Sequence, residues 1–466
     1  MANPKVFNIP AGADFLQSLV VGLKAQLSED ELSRALILLP TRRACQHLRE
    51  AFLAEAGAGD KALLLPDIRP LAEVEEEELM LSGDAAFLRQ VAEVPPAMDA
   101  AKRRVLLAQL VAGMNMPGYS KAQAFLLAGD LAHLIDDALI EGCDLNNLAA
   151  LAPERYAAHW QQVIEFLKIV NQHWSRILQE EGAIDAVDRR QRLTRLLIAH
   201  WQKHPPAYPV IAAGSTGSQP VTAELLKTIS RLPKGRVVLP GLDQHLEEEA
   251  WAVLEASHPH YFLARLLKTL ECERGDVPLW PQSAEGARAV LLSETMRPAE
   301  ATDRWRLLRK EDIAPEAWQG LEVVEAAQEH QEAMAAALML RKAAEEGGTA
   351  ALITPDRALA KRVVSLMRRW NIELDDSAGR PLAETPVGSF LNLLLDLPGA
   401  GLRPSGLMAF FKHPFAGLGL PREKLLFQAR GLEMGFFRKQ PRGRGLKTWL
   451  GLLKADAAQK ENAEML

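Results

Sequence analysis

The chain has 466 residues, 48% of them hydrophobic and 24% charged, with a formal net charge of −6. A length of this order exceeds a single ordinary core, so about two to four domains are expected. The charge excludes a polybasic protein of the histone kind but leaves nucleic-acid binding through local patches open, and Cys45, Cys143 and Cys272, far apart and without CxxC spacing, argue against disulfides and a zinc or iron–sulfur site in this chain.

The chain opens with a short apolar strand over 6–9, a turn Pro10, Ala11, Gly12, Ala13, Asp14, and an amphipathic helical run over 15–27. A second strand, 35–39, ends in Pro40, Thr41, Arg42, Arg43 and enters another helix; a third strand is expected near Leu63. From the Pro95, Pro96 break to about His204, β-branched runs vanish and helical patterns follow at 100–114, 121–141, 156–181 and 187–203, the last with Asp185 as a plausible N-cap. After Pro205 and Pro206 the α/β texture returns, with a buried strand at 209–213, a tight loop at 214–218, a helix at 221–232 and a strand at 236–239. The simplest assembly is one parallel sheet interrupted by a helical insertion.

A charged, Pro-containing stretch at 298–315 reads as a linker. A second α/β unit is expected beyond it: strand 321–326, helix 329–346, strand 350–353 and helix 357–370. The expected architecture is α/β with two RecA-like parallel-sheet domains, the outline of a superfamily 1 helicase. The first domain spans 1–94 and 205–300, the all-α insertion 95–204, the linker 301–318, and the second domain, with the start of a further helical insertion, 319–466. No basic n-region precedes an apolar h-region and no apolar run approaches membrane-spanning length, so the cytoplasm is the expected compartment and no membrane partner is expected.

A phosphate loop after the first strand needs several glycines, so that backbone N–H groups can converge, followed by Lys and Ser/Thr. No Gly-Lys dipeptide occurs anywhere; the turn offers Gly12 and then Asp14, whose carboxylate would repel a triphosphate. An ordinary strand–helix turn is the plainer reading of Ala11, Gly12 and Asp14. After the strand at 209–213, where a motor places its Walker B acids, Ala213 and Gly214 supply no carboxylate, and Asp243 is the only nearby acid. Thr41, Arg42 and Arg43 stand at a helix start that favours phosphate, although Thr41 is also a plain helix cap; with Arg49 they are the best candidates for a nucleic-acid backbone contact.

Further basic clusters are Lys102, Arg103, Arg104; Arg189, Arg190, Arg192, Arg195; Lys361, Arg362, Arg368, Arg369; and Arg438, Lys439, Arg442, Arg444, Lys447, the last interleaved with Phe436 and Phe437. Each alone reads as ordinary surface; together they suit a channel lined from several sides. The scattered His residues and Trp160, Trp174 and Trp201 read as ordinary helix and core positions.

The segments VFNIPAGADF (6–15), LILLPTRRACQHLREAF (36–52), GAIDAVDRR (182–190), VIAAGSTGSQP (210–220), VVLPGLD (237–243), ITPDR (353–357), GRPLAETPVGSF (379–390) and KHP (412–414) resemble the AddB family of alphaproteobacteria. AddB is the partner subunit of the AddAB helicase–nuclease in double-strand-break repair. The resemblance implies that 11–14 occupy the Walker A slot, that Ala213 and Gly214 occupy the Walker B slot, and that Thr41 and Ala44 match a motif touching single-stranded DNA. It also implies that Leu352 to Thr354 lie where a motor places a nucleotide-facing arginine, which is missing, with Arg357 displaced along the chain. It implies AddA, duplex DNA ends and single-stranded DNA as partners, and scanning for the hotspot sequence Chi as a role. Family members continue into a nuclease domain holding an iron–sulfur cluster; no residues here match it, so the second domain is expected to be incomplete and no cofactor is expected. The favoured expectation is a non-motor, DNA-binding scaffold. Its alternatives are an active ATP-dependent helicase or nuclease, and a protein-only adaptor.

Overall fold

The structure, a computed structural model, describes residues 4–56, 64–71, 85–113, 120–143, 167, 172–399, 402–439 and 445–455. The chain divides into two compact units, Met1–Leu321 and Glu322–Leu466.

The first unit is built on strands β1 (Val6–Ile9), β2 (Leu36–Leu39), β3 (Asp67–Pro70), β4 (Val210–Ala213) and β5 (Gly235–Pro240). All pair in parallel, in the order β1-β5-β4-β2-β3. The third strand lies a few residues beyond its expected place. Alternation along each strand assigns side chains to opposite faces. Leu36, Leu38, Val210, Ala212, Val237 and Leu239 pack on one side, against helices Pro220–Arg231, Tyr261–Leu270 and Ala186–Lys203. Ile37, Leu39, Ile211, Ala213 and Val238 pack on the other, against helices Phe15–Gln26 and Arg42–Ala56. An all-parallel sheet needs both faces covered, and burying each Leu, Ile or Val side chain contributes about 1.5–3 kcal/mol. The result is an α/β fold compatible with a Rossmann or RecA-like arrangement.

Gly22 in the first helix is required by a close approach. A Cβ there would lie 2.0 Å from Trp280 Nε1, and that nitrogen donates to the Ser18 carbonyl at 3.1 Å. Gly22→Ala, which would help an isolated helix, should therefore destabilise the protein by about 1–3 kcal/mol through overpacking. A lowered urea midpoint would confirm the clash, and an unchanged or raised one would refute it.

Between β3 and β4, helices Ala100–Gly113 and Lys121–Glu141 build a separate core from Leu107, Val111, Ala128, Leu131, Ile135 and Trp174. Ser120 and Gln123 close a capping box at the start of the second helix, and Gly142 ends it at φ 68°. The expected helix over 156–181 lies largely outside the described residues, although 172–180 is helical. Asp185 occupies the N-cap position of the Ala186–Lys203 helix without making a cap bond. Its carboxylate instead accepts from Trp174 Nε1 at 3.1 Å and lies 2.7 Å from Arg103 Nε, a charge contact rather than an aligned hydrogen bond. Burial pushes the Asp185 carboxyl above the usual carboxylate range, opposed by the Arg103 charge and the Trp174 bond.

Within the expected linker the chain forms short 3₁₀ turns at Ala299–Arg306, Lys310–Asp312 and Pro315–Trp318. They are pinned to the first unit: Arg288 donates to the Ala317 carbonyl at 3.0 Å and Trp305 Nε1 to that of Glu294 at 3.1 Å.

The second unit corrects the expectation of a second parallel sheet. Helices Glu329–Glu345 and Arg357–Arg368 form and pack through Ala333, Ala337, Leu359, Val363 and Met367. The expected strands at 321–326 and 350–353 do not, and no described residue of this unit is in a strand. Val323 is 91% and Ile353 94% exposed, and neither backbone hydrogen-bonds to another described residue. Alternation and β-branching give a segment strand propensity, but a ladder also needs a neighbour. Its further helices are Pro386–Gly399, Pro404–Lys412, Arg422–Gly435 and Leu446–Ala455.

Candidate functional site

Because every strand is parallel, the segments after β1, β5, β4 and β2 open on one edge of the sheet, the carboxyl end where such folds bind ligands. Along that edge lie Ala11 to Asp14, then Gly241 to Asp243, then Gly214, then Thr41. The positions read as nucleotide-site remnants in the first unit thus share one edge, with β5 standing between the strands that carry Ala11 and Ala213.

The turn after β1 is tight. The Ala13 N–H donates to the Pro10 carbonyl at 3.3 Å, and Gly12 takes φ 92°, the pattern of a type II turn, which needs positive φ at its third residue. Asp14 then caps the first helix, its carboxylate accepting from the Gln17 N–H at 3.0 Å. A helix N-terminus attracts anions because its first N–H groups are unpaired and its dipole end is positive. Here the chain supplies that anion itself. The next residue, Phe15, reaches Gly214: a Cβ on Gly214 would lie 3.3 Å from the Phe15 ring and 3.6 Å from Pro40. An aromatic ring therefore lies between the turn after β1 and the loop at Gly214. Sequence reading missed it, though a Phe directly after Asp14 was the available signal.

The loop after β5 is held by a buried Asn8 in mid-strand, which accepts from the Leu242 N–H at 2.9 Å and donates to its carbonyl at 3.0 Å. Asp243 accepts from the His245 and Leu246 N–H groups, so its carboxylate shapes its own turn. Ser215 likewise accepts from the Gly217 N–H at 3.2 Å. The cavity among Pro10, Ala11, Asp243, His245, His260 and Ser293 holds about 50 Å³, against about 300–1,000 Å³ for ordinary small-molecule sites. Burial pushes the His260 imidazole below the usual histidine range, with the nearby Asp243 opposing.

Thr41 Oγ1 accepts from the Ala44 N–H at 3.1 Å and caps the Arg42–Ala56 helix. Thr41, Arg42 and Arg43 are all exposed. Arg49 donates to the Ile68 carbonyl at 2.7 Å, tying this helix to β3. In the second unit Thr354 accepts from the Asp356 N–H, while Arg357 makes a two-pronged pair with Asp376 at 3.0 and 2.7 Å, which raises its pKa. The sheet edge therefore gathers Ala11, Gly12, Asp14, Ala213, Gly214, Thr41, Arg42 and Arg43. Thr354 and Arg357 belong to the other unit.

Several basic clusters are committed within the protein. Arg103 is 11% exposed between Asp136 and Asp185, Arg104 lies over the Phe125 ring at 4.6 Å, and Lys102 pairs with Glu181. Arg189 donates to the Pro95 carbonyl and Arg192 pairs with Asp188. Phe436 and Phe437 are buried, Phe437 edge-on to Trp449, so they are core rather than a stacking surface. Trp174 and Trp201 are buried as read; Trp160, Arg442 and Arg444 lie outside the described residues.

Among the described residues no cluster of His, Cys, Asp and Glu is placed to hold a metal ion, and no helix is long and apolar enough to cross a membrane. Comparison with known protein families finds no match for the chain, and none of the curated proteins matches it.

Proposed function

We propose that this chain is a non-motor, helicase-like portion of an AddB-type subunit that binds DNA and acts as a scaffold for an AddA helicase–nuclease at double-strand breaks. In this reading it engages duplex ends, guides a separated strand and takes part in scanning for Chi. The observation that carries it is the self-filled phosphate position: the Asp14 carboxylate caps the helix after β1 and the Phe15 ring lies against Gly214. A triphosphate arriving there would meet a negative charge in place of unpaired N–H groups, and would find no Lys or Walker B acid to hold Mg²⁺ or orient water. On the same edge the exposed Thr41, Arg42 and Arg43 leave a cationic helix start suited to a phosphate backbone.

Co-purification with AddA followed by DNA titration at two salt concentrations tests this reading. The expected result is a complex that binds duplex ends with log affinity falling about 0.9 per log salt for each phosphate contacted. A salt-insensitive or absent affinity would overturn the nucleic-acid role. Binding to AddA with DNA affinity unchanged after Thr41→Ala and Arg42→Ala would favour a protein-only adaptor instead.

A further inference from the structure

The chain is acidic overall, yet its positive charge is concentrated in one stretch. Between Leu402 and Lys454 the sequence carries eleven Lys and Arg against two acids, Glu423 and Glu433. Its described residues form helices Pro404–Lys412, Arg422–Gly435 and Leu446–Ala455, which share a core of Leu407, Phe411, Leu432, Phe436, Trp449 and Leu453. Glu433 already pairs with Lys412 and Arg438, and Arg422 is spent on the carbonyls that end the Pro404–Lys412 helix. Arg403, Lys424, Arg430, Lys439, Lys447 and Lys454 are exposed and make no ion pair with a described residue. The stretch therefore presents a strong unbalanced positive field.

Large apolar rings stand in that field. On the Arg422–Gly435 helix, Leu425, Ala429 and Leu432 face the core, while Phe427, Arg430 and Met434, at i, i+3 and i+7, share the outward face. Phe427 is 76% exposed. Phe415, 52% exposed, packs at 5.6 Å from the His413 ring and edge-on to Phe390 at 6.2 Å. Ser389 beside His413 is no nucleophile. Its hydroxyl donates to the Pro386 carbonyl, and since His413 Nδ1 accepts from the Phe415 N–H, the proton on Nε2 points at the Ser389 oxygen. This histidine orders the loop that carries Phe415.

From the exposed rings among unpaired cations, we infer that the helical module at 402–454 is a single-stranded nucleic-acid surface, with Phe427 and Phe415 as stacking positions and Lys424, Arg430 and Lys439 as phosphate contacts. Exposed aromatics among unpaired cations suit unstacked bases on a flexible polyanion, whereas a duplex hides its ring faces. The inference rests on the nucleic-acid reading above and deepens it by locating a site that the sheet edge does not contain.

The test is an anisotropy titration of the full chain with a fluorescein-labelled thymidine oligomer and an abasic oligomer of the same length. The proteins are wild type, Lys424→Glu with Arg430→Glu, and Phe427→Ala, all at exposed positions and checked by circular dichroism. The charge reversals should weaken binding at least about tenfold and flatten the log–log salt slope by about 1.4, two single-strand contacts at about 0.7 each. Phe427→Ala should cost about tenfold on the thymidine oligomer and little on the abasic one. Equal binding of both oligomers, or of polyglutamate as tightly as either, would make this a general polyanion surface and overturn the inference. Wild-type binding left unchanged by all these substitutions would overturn it while leaving the proposed function standing. Failure of the wild type to bind any DNA would overturn both.

Discussion

Arg103→Met should destabilise the first unit by about 3–5 kcal/mol at neutral pH, the ordinary consequence of removing one partner from a buried ion pair. Asp185, 5% exposed, would lose its nearest cation and keep only the Trp174 hydrogen bond. Asp136 would lose its pairing with Arg103 too. The effect has a definite pH dependence. Burial already holds the Asp185 pKa above its unfolded value, so the native state binds the proton more readily than the unfolded one. Stability from this group is therefore gained as pH falls through the raised pKa toward the unfolded one, and lost above it. Removing Arg103 raises that pKa further, so the variant should be worst at high pH and recover partly under mild acid. Urea melts at pH 5 and pH 8 check this. A loss below about 1 kcal/mol, or a loss that deepens in acid, would show that the Arg103 and Asp185 contact is incidental.

Arg42→Glu with Arg43→Glu should lower affinity for single-stranded DNA by about a hundredfold at low salt. Two charge-assisted phosphate contacts at about 1.5 kcal/mol each account for that factor. Both side chains are exposed at the first turn of a helix already capped by Thr41, and circular dichroism of the double variant checks that the fold is kept. The salt dependence should also become shallower by about 1.4 in log–log slope. Unaltered affinity in a folded double variant would remove this helix start from the interface.

Much of the first sheet was legible in the sequence because short apolar runs bounded by Pro and Gly signal buried strands, and four of the five lie where those runs do. The order in which they pair was not legible. Parallel neighbours such as Val6 and Val237 meet across more than two hundred residues, and no local pattern encodes that. The basic clusters show the same limit. Lys102, Arg103 and Arg104 read alike as surface, yet Arg103 is buried by acids on other helices, while the exposed charges of the 402–454 module look no different in composition. The segments at 321–326 and 350–353 carry every local mark of a strand and form none, since pairing is a property of two segments. Asp14 was legible as a carboxylate set against a triphosphate but not as the cap of the first helix; the contact of Phe15 with Gly214, which adds to its effect, depends on β4 lying near β1.

The phosphate position at the start of the first helix is filled from within, and the proposed function pairs that with a retained grip on nucleic acid. The most direct measurement is a titration of labelled single-stranded DNA onto the full chain with and without Mg·ATP, with phosphate release followed in the same samples. DNA binding should be salt-dependent and indifferent to Mg·ATP, with no release above background. Saturable Mg·ATP capture with DNA-stimulated turnover would contradict it.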